Sequence, residues 1–143
     1  MKIPEINSEF VIARHHQGVK LVRPESHKAA MMGIMSVADC MTSNLHVYFT
    51  DYSQIMRDMN DVCARNVGAI SKHDLLGYTI EKISSDELSI NKIEGNNRDV
   101  MHQRCLKVFD EPTTLRNGGG FRALSIKQPW YDDDDKIVGI FGA

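Results

Sequence analysis

The chain has 143 residues, room for one domain with a substantial core and not for two. Its 17 Lys and Arg are interspersed with 19 Asp and Glu, giving a net charge of −2, so it lacks the basic footprint of a nucleic-acid binder. No apolar run is long enough to span a bilayer, and Met1-Lys-Ile-Pro-Glu-Ile-Asn7 has no apolar signal-peptide core. Three widely spaced cysteines, Cys40, Cys63 and Cys105, include no CxxC pair. They read as small buried hydrophobes with free thiols in a reducing compartment, and the expectation is a cytoplasmic protein.

Residues 1–24 show no sustained period, and Phe10-Val-Ile-Ala13 fits a short strand or a helical turn equally. After Pro24, Ser26 to Met41 reads as a helix. Ser26 is its N-cap, and Met31, Ile34, Met35, Ala38 and Met41 form one stripe. Four of the eight methionines lie there, and such a surface suits core packing, cover for a sheet face or a dimer contact. Leu45 to Thr50 and Gln54 to Met59 are strands joined by the turn Asp51-Tyr-Ser53. A short helix runs from Asp61 to Val67 and stops at Gly68, and Ser71 opens one or two helical turns that close on Gly77. Residues 78–94 are polar and aperiodic. Asn96 or Asn97 then caps a helix to about Phe109, with Met101, Cys105, Val108 and Phe109 on one face, and Glu111-Pro112 stops it.

The last third organises the rest. Between Glu111 and Ala143 lie three strands separated by two turns, Gly118-Gly-Gly120 and the solvated run Asp132 to Asp135. Along the middle strand Arg122, Leu124, Ile126, Gln128 and Trp130 share one face, with Phe121, Ala123, Ser125 and Lys127 on the other. Ile137-Val-Gly-Ile-Phe-Gly-Ala143 is apolar on both faces and needs cover on both. Strands at both ends with helices between them indicate an α+β fold, one antiparallel sheet with helices crossing one face.

Catalytic and metal signatures are missing from the sequence. The six histidines form no HxxxH or HxxE pattern, and His15-His16 has no partner at i+3 or i+4. Asp132 to Asp135 lacks the spacing and glycine of a calcium loop, and the triple glycine precedes a strand where a phosphate cradle would open a helix. The expectation is a protein that is not an enzyme.

The ordered set Val47-Tyr-Phe-Thr-Asp51, the strand to Asn60, the helix Asp61 to Gly68, His73-Asp-Leu-Leu-Gly77, the helix Asn97 to Phe109 and the three closing strands resembles a PAS domain. The resemblance covers residues 44–143, leaving residues 1–43 as an N-terminal extension with the Met-rich helix. It implies a five-stranded antiparallel sheet enclosing a small-molecule pocket, in a sensory or dimerisation module linked to an output module. No output motif is present, so the chain reads as the N-terminal sensor of a larger signalling or transcription-regulatory protein, two-component systems included. The alternative is a pure dimerisation module with a filled core. A homodimer through the N-terminal helix and sheet face is expected, with no membrane and no direct nucleic-acid contact by this segment.

A flavin site of the light-oxygen-voltage type would need Asn-Cys-Arg-Phe-Leu-Gln, which is absent. Haem-binding members use a histidine on the long helix, a place that His102 occupies, so haem stands as a minor alternative for an otherwise unknown ligand. Wall residues for a mainly apolar ligand are Met59, Cys63, Met101, Cys105, Leu124 and Ile126. Arg57 is either a polar anchor inside the pocket or a solvated charge, according to which face of its strand turns inward.

Overall fold

The computed structural model describes residues 12–15, 18–21, 45–132 and 134–143, the first two groups as backbone only. Its strands are β1 (Ile12–His15), β2 (Gly18–Leu21), β3 (Tyr48–Asp51), β4 (Met56–Met59), β5 (Lys107–Thr114), β6 (Gly120–Tyr131) and β7 (Ile137–Gly142). Its α-helices are α1 (Asp61–Asn66) and α2 (Glu87–Gln103), with 3₁₀ turns at Lys72–Asp74 and Ile80–Lys82. The expected Met-rich helix from Ser26 to Met41, and Cys40 with it, lie outside the described residues.

Five strands form the expected antiparallel sheet, in the order β5-β6-β7-β3-β4. The β1–β2 hairpin adds to it, β2 running parallel to β6 through Val19↔Trp130 and Lys20↔Tyr131. Four-residue strands are too short to show a period, which is why residues 12–21 gave no more than the strand-or-turn choice at Phe10 to Ala13. The 12-residue β6 is the backbone of the sheet, pairing with β5 from Gly120 to Lys127 and with β7 from Lys127 to Tyr131.

Local polar groups set the entry to the sheet. Asp51 turns β3 into β4: Oδ1 accepts from the backbone N–H groups of Ser53 and Ile55, and Oδ2 takes Arg57 Nε at 2.6 Å. Asn60 is fully buried and ties three segments together. Its Oδ1 caps α1 through Cys63 N–H and also accepts from Val47 N–H, while Nδ2 donates to the Leu45 carbonyl at 2.7 Å. Gly68, at φ +91°, closes the turn after α1 as expected. Ser71 and Asp74 form a capping box around the first 3₁₀ turn.

The long helix differs from expectation at both ends. It spans Glu87–Gln103, starting ten residues before the expected Asn97, and the residues expected to finish it, Val108 and Phe109, belong to β5. Asp86 is the N-cap, its carboxylate accepting Ser89 N–H at 3.0 Å and Ser89 Oγ–H at 2.6 Å. Arg104 ends the helix in the left-handed region at φ +55° with no glycine to announce it. The buried face of α2 includes Ser89 and Asn97 beside Val100 and Met101, so a hydrophobic period over residues 87–98 does not exist to be read.

Among the described residues, side chains fill two clusters on the helix side of the sheet. Met56, Met59, Cys63, Ala64, Leu75, Ile83 and Leu115 make one, and Val100, Met101 and Ile140 the other. On β7, Gly139 and Gly142 stand where neighbours come too close for a side chain. A Cβ on Gly139 would lie 2.0 Å from the Thr50 carbonyl oxygen, and one on Gly142 would lie 2.2 Å from the Tyr48 ring. Gly139→Ala is expected to destabilise the domain by about 1–3 kcal/mol or more, because backbone must move to admit the methyl group; urea unfolding measures the loss.

Candidate functional site

The inner faces of β3 to β6, the α1 segment and α2 enclose a cavity of about 640 Å³. Its apolar lining includes Met56, Met59, Cys63, Ile80, Ile83 and Phe121. Its polar side chains include Gln54, Asn97, Glu111, Thr113, Ser125 and the Tyr48 hydroxyl, the strand-borne ones on β3, β5 and β6. Strand alternation supplies those of β5 and β6. Glu111 and Thr113 point inward from β5, and Ser125 and Lys127 from β6, while Asp110, Pro112, Leu124 and Ile126 point outward.

A buried ion pair anchors these polar groups. Lys127 is fully buried and places Nζ 2.7 Å from Glu111 Oε1, itself on a residue only 5% exposed. Nζ also donates to Asn97 Oδ1 at 2.8 Å, and Asn96 Nδ2 donates to Glu111 Oε1 at 2.7 Å. Asn97 Nδ2 in turn donates to Gln54 Oε1 at 2.8 Å. The chain of contacts therefore joins β5, β6, α2 and the β3–β4 turn. Burial pushes the Lys127 pKa down, and the Glu111 carboxylate partly restores it. Such pairs persist where further hydrogen bonds satisfy the ions, as the two asparagines do here.

Neighbouring groups are held in their neutral forms. Burial, then the nearby Glu111 charge, pushes the Tyr48 phenol above its ordinary range, against a hydrogen bond with Ser125 Oγ at 3.3 Å that acts the other way. Burial raises the Cys63 thiol to about 12, so it lines the cavity as a hydrophobe rather than a nucleophile. At the rim, burial lowers the pKa of His46, which meets the Phe121 ring edge-on at 5.8 Å and sits 2.9 Å from Asn66 Nδ2.

Of the residues expected to wall the pocket, Met59 and Cys63 do line the cavity. Leu124 borders it but is 75% exposed, and Ile126 lies on the outer face with it. Met101 packs in the second cluster, and Cys105 follows α2 outside the lining. Arg57 is the solvated charge of the two readings, paired with Asp51 at 2.5 Å. Ile55, Arg57 and Met59 do not share an inward face, because an irregularity in the β3–β4 pairing lets Met56 and Met59 both point inward. His102 is exposed and borders a separate cleft with Arg98, Arg104 and Lys136. Among the described residues no three His, Cys, Asp or Glu side chains cluster as a metal site.

Glu111, Lys127, Asn97 and Gln54 were missed by the sequence reading. The signal available was the alternation along β6, which sets Lys127 on the face opposite Leu124 and Ile126. The sequence reading puts Leu124 and Ile126 in the pocket wall, which turns that face away from it.

No protein-family model matches the sequence, and no curated protein does. Solved structures do match. The ligand–DNA complex of VqmA from Vibrio cholerae superposes with a TM-score of 0.64 at 17% identity over 78% of this chain and 48% of that one. VqmA bound to DPO gives 0.62 at 21% identity over 78% and 56%. The PAS domain of BvgS from Bordetella pertussis gives 0.63 at 20% identity over 80% and 84%. At these identities the likeness establishes the fold, and the fold is that of a PAS domain. The chain spans about half the length of the VqmA structures.

Lys127→Met is expected to destabilise the domain by about 3–5 kcal/mol, since it strands the Glu111 charge in the interior. The double variant Glu111→Leu/Lys127→Met is expected to recover most of that loss. Equilibrium urea unfolding of the three proteins checks both statements.

Proposed function

We propose that this chain is a sensory PAS module that works by binding a small molecule in the cavity and not by chemistry. The observation that carries the reading is the cavity itself. At about 640 Å³ it has the size of a small-molecule site, with apolar walls and a few convergent polar groups. VqmA, whose fold this chain shares, is solved with DPO and in a complex with DNA, and is described as a dimer. By analogy, the module belongs to a larger regulator whose output lies outside these residues.

Transmission needs a ligand that favours one arrangement of the sheet over another. The outer face of β5 and β6 is the surface we assign to the readout. Val108 and Ile126 face each other across the strand pair, with Leu106 and Leu124 beside them, all four at least 43% exposed. A second copy of the chain covering this apolar strip makes the expected homodimer. No described helix is long and apolar enough to cross a membrane.

Native mass spectrometry of freshly purified protein, followed by thermal-shift screening that includes DPO, tests the reading. The expected result is a mass excess over the 16.2 kDa chain, or a melting temperature raised by several degrees by a bound compound. Ala123→Phe, which plugs the cavity from β6, is expected to abolish the effect while leaving the protein folded. A bare chain, stabilised by nothing in the screen and indifferent to the plug, would instead make it an interaction module.

A further inference from the structure

We propose that the cavity selects an uncharged molecule with an N–H or O–H group that it donates to Glu111, the rest of the ligand being apolar; this rests on the ligand-binding reading above. Glu111 lines the cavity and is 5% exposed. Its Oε1 already accepts from Asn96 and Lys127, both at 2.7 Å. No hydrogen bond from the described residues reaches Oε2. The carboxylate therefore has a second acceptor oxygen to offer; it is not among the buried atoms left without a partner, and in a residue that lines the cavity a donor on the ligand can engage it.

Charge balance narrows the class further. Lys127 and Glu111 cancel one another, so the polar wall is neutral as it stands. An anion would meet the free carboxylate oxygen and find no available cation. Lys127 Nζ is fully buried, committed to Glu111 and Asn97, and lies 5.9 Å from the centre of the Phe109 ring on its remaining side. The Arg122 guanidinium is engaged by Asp110 on the exposed face. A cation would satisfy Oε2 but leave an excess positive charge beside Lys127, with no second acidic side chain in the lining to balance it. A neutral donor completes the site without either cost.

The groups beside Glu111 support the same ligand. Thr113 lies two residues along the same strand face, and Ser125 and Tyr48 hold hydroxyls that share only a long 3.3 Å contact. The Tyr48 phenol keeps its proton, so it offers a donor to any acceptor atom of the ligand. Met56, Met59 and Phe121, also in the lining, receive an apolar body.

Five compounds that share a phenyl group separate the alternatives: benzamide, N,N-dimethylbenzamide, benzoate, benzylamine and toluene. Each is titrated into the full chain at pH 7 and followed by amide NMR shifts of cavity residues. Benzamide is expected to bind at least about 10-fold more tightly than N,N-dimethylbenzamide, a difference of about 1.4 kcal/mol, and more tightly than benzoate or benzylamine. In Glu111→Leu/Lys127→Met, which removes the acceptor without stranding a charge, the preference for benzamide over its dimethyl analogue is expected to fall to within about 2-fold. Any other ranking in the wild-type chain, or a preference that survives in the double variant, overturns the inference while leaving a ligand cavity in place. If none of the five, toluene included, perturbs the cavity, the inference falls together with the reading it rests on.

Discussion

The ion pair between Glu111 and Lys127 is the constraint on which the arrangement of the cavity depends. Two opposite charges placed inside a small domain must be hydrogen-bonded as well as paired, or the interior rejects them. Asn96 and Asn97 meet that demand from α2, which sets both the rotation of the helix and its depth on the sheet. The inward faces of β5 and β6 follow too, since a one-residue slip of either strand would carry its charge to the other side. The pair thus specifies a geometry more than it adds stability.

The same contacts would carry the effect of the proposed ligand away from the cavity. Asn97 links Lys127 to Gln54, whose backbone is held at φ +69°, a conformation that residues other than glycine seldom adopt. Gln54 closes the turn between β3 and β4, and its backbone N–H donates to the Asp51 carbonyl. A ligand that drew on Glu111, as proposed above, would change the bonding of Lys127 and Asn97, and through them this turn and α2. In this account the sheet is the two-state element, and its outer apolar strip is where a second protomer would sense the change.

Much of the fold was legible because short-range chemistry announced it. Asp51, Asn60, Gly68 and Ser71 are turn and cap residues doing in the structure what their types predict, and the three closing strands alternate as written. The helix α2 was misplaced for the opposite reason. Its buried face relies on Ser89 and Asn97, so the hydrophobic pattern was silent where the helix begins, and Val108 and Phe109 supplied a false continuation in what is strand β5. The site followed the same logic. Met59 and Cys63 were visible as apolar residues near one helix, whereas Glu111 entered only as part of a helix stop and Lys127 only as a member of one face of β6. Only tertiary pairing distinguishes a buried charge from a solvated one, and that pairing joins residues 16 positions apart on neighbouring strands.

The central claim is that Lys127 is charged, buried and locked to Glu111. A pH titration of its side-chain nitrogen by NMR tests it most directly, with Lys127→Met used to assign the signal. The account predicts an ammonium resonance protected from solvent exchange, with a pKa below the ordinary lysine value near 10.5. A rapidly exchanging ammonium that titrates at the ordinary value would place Lys127 in water and contradict the account.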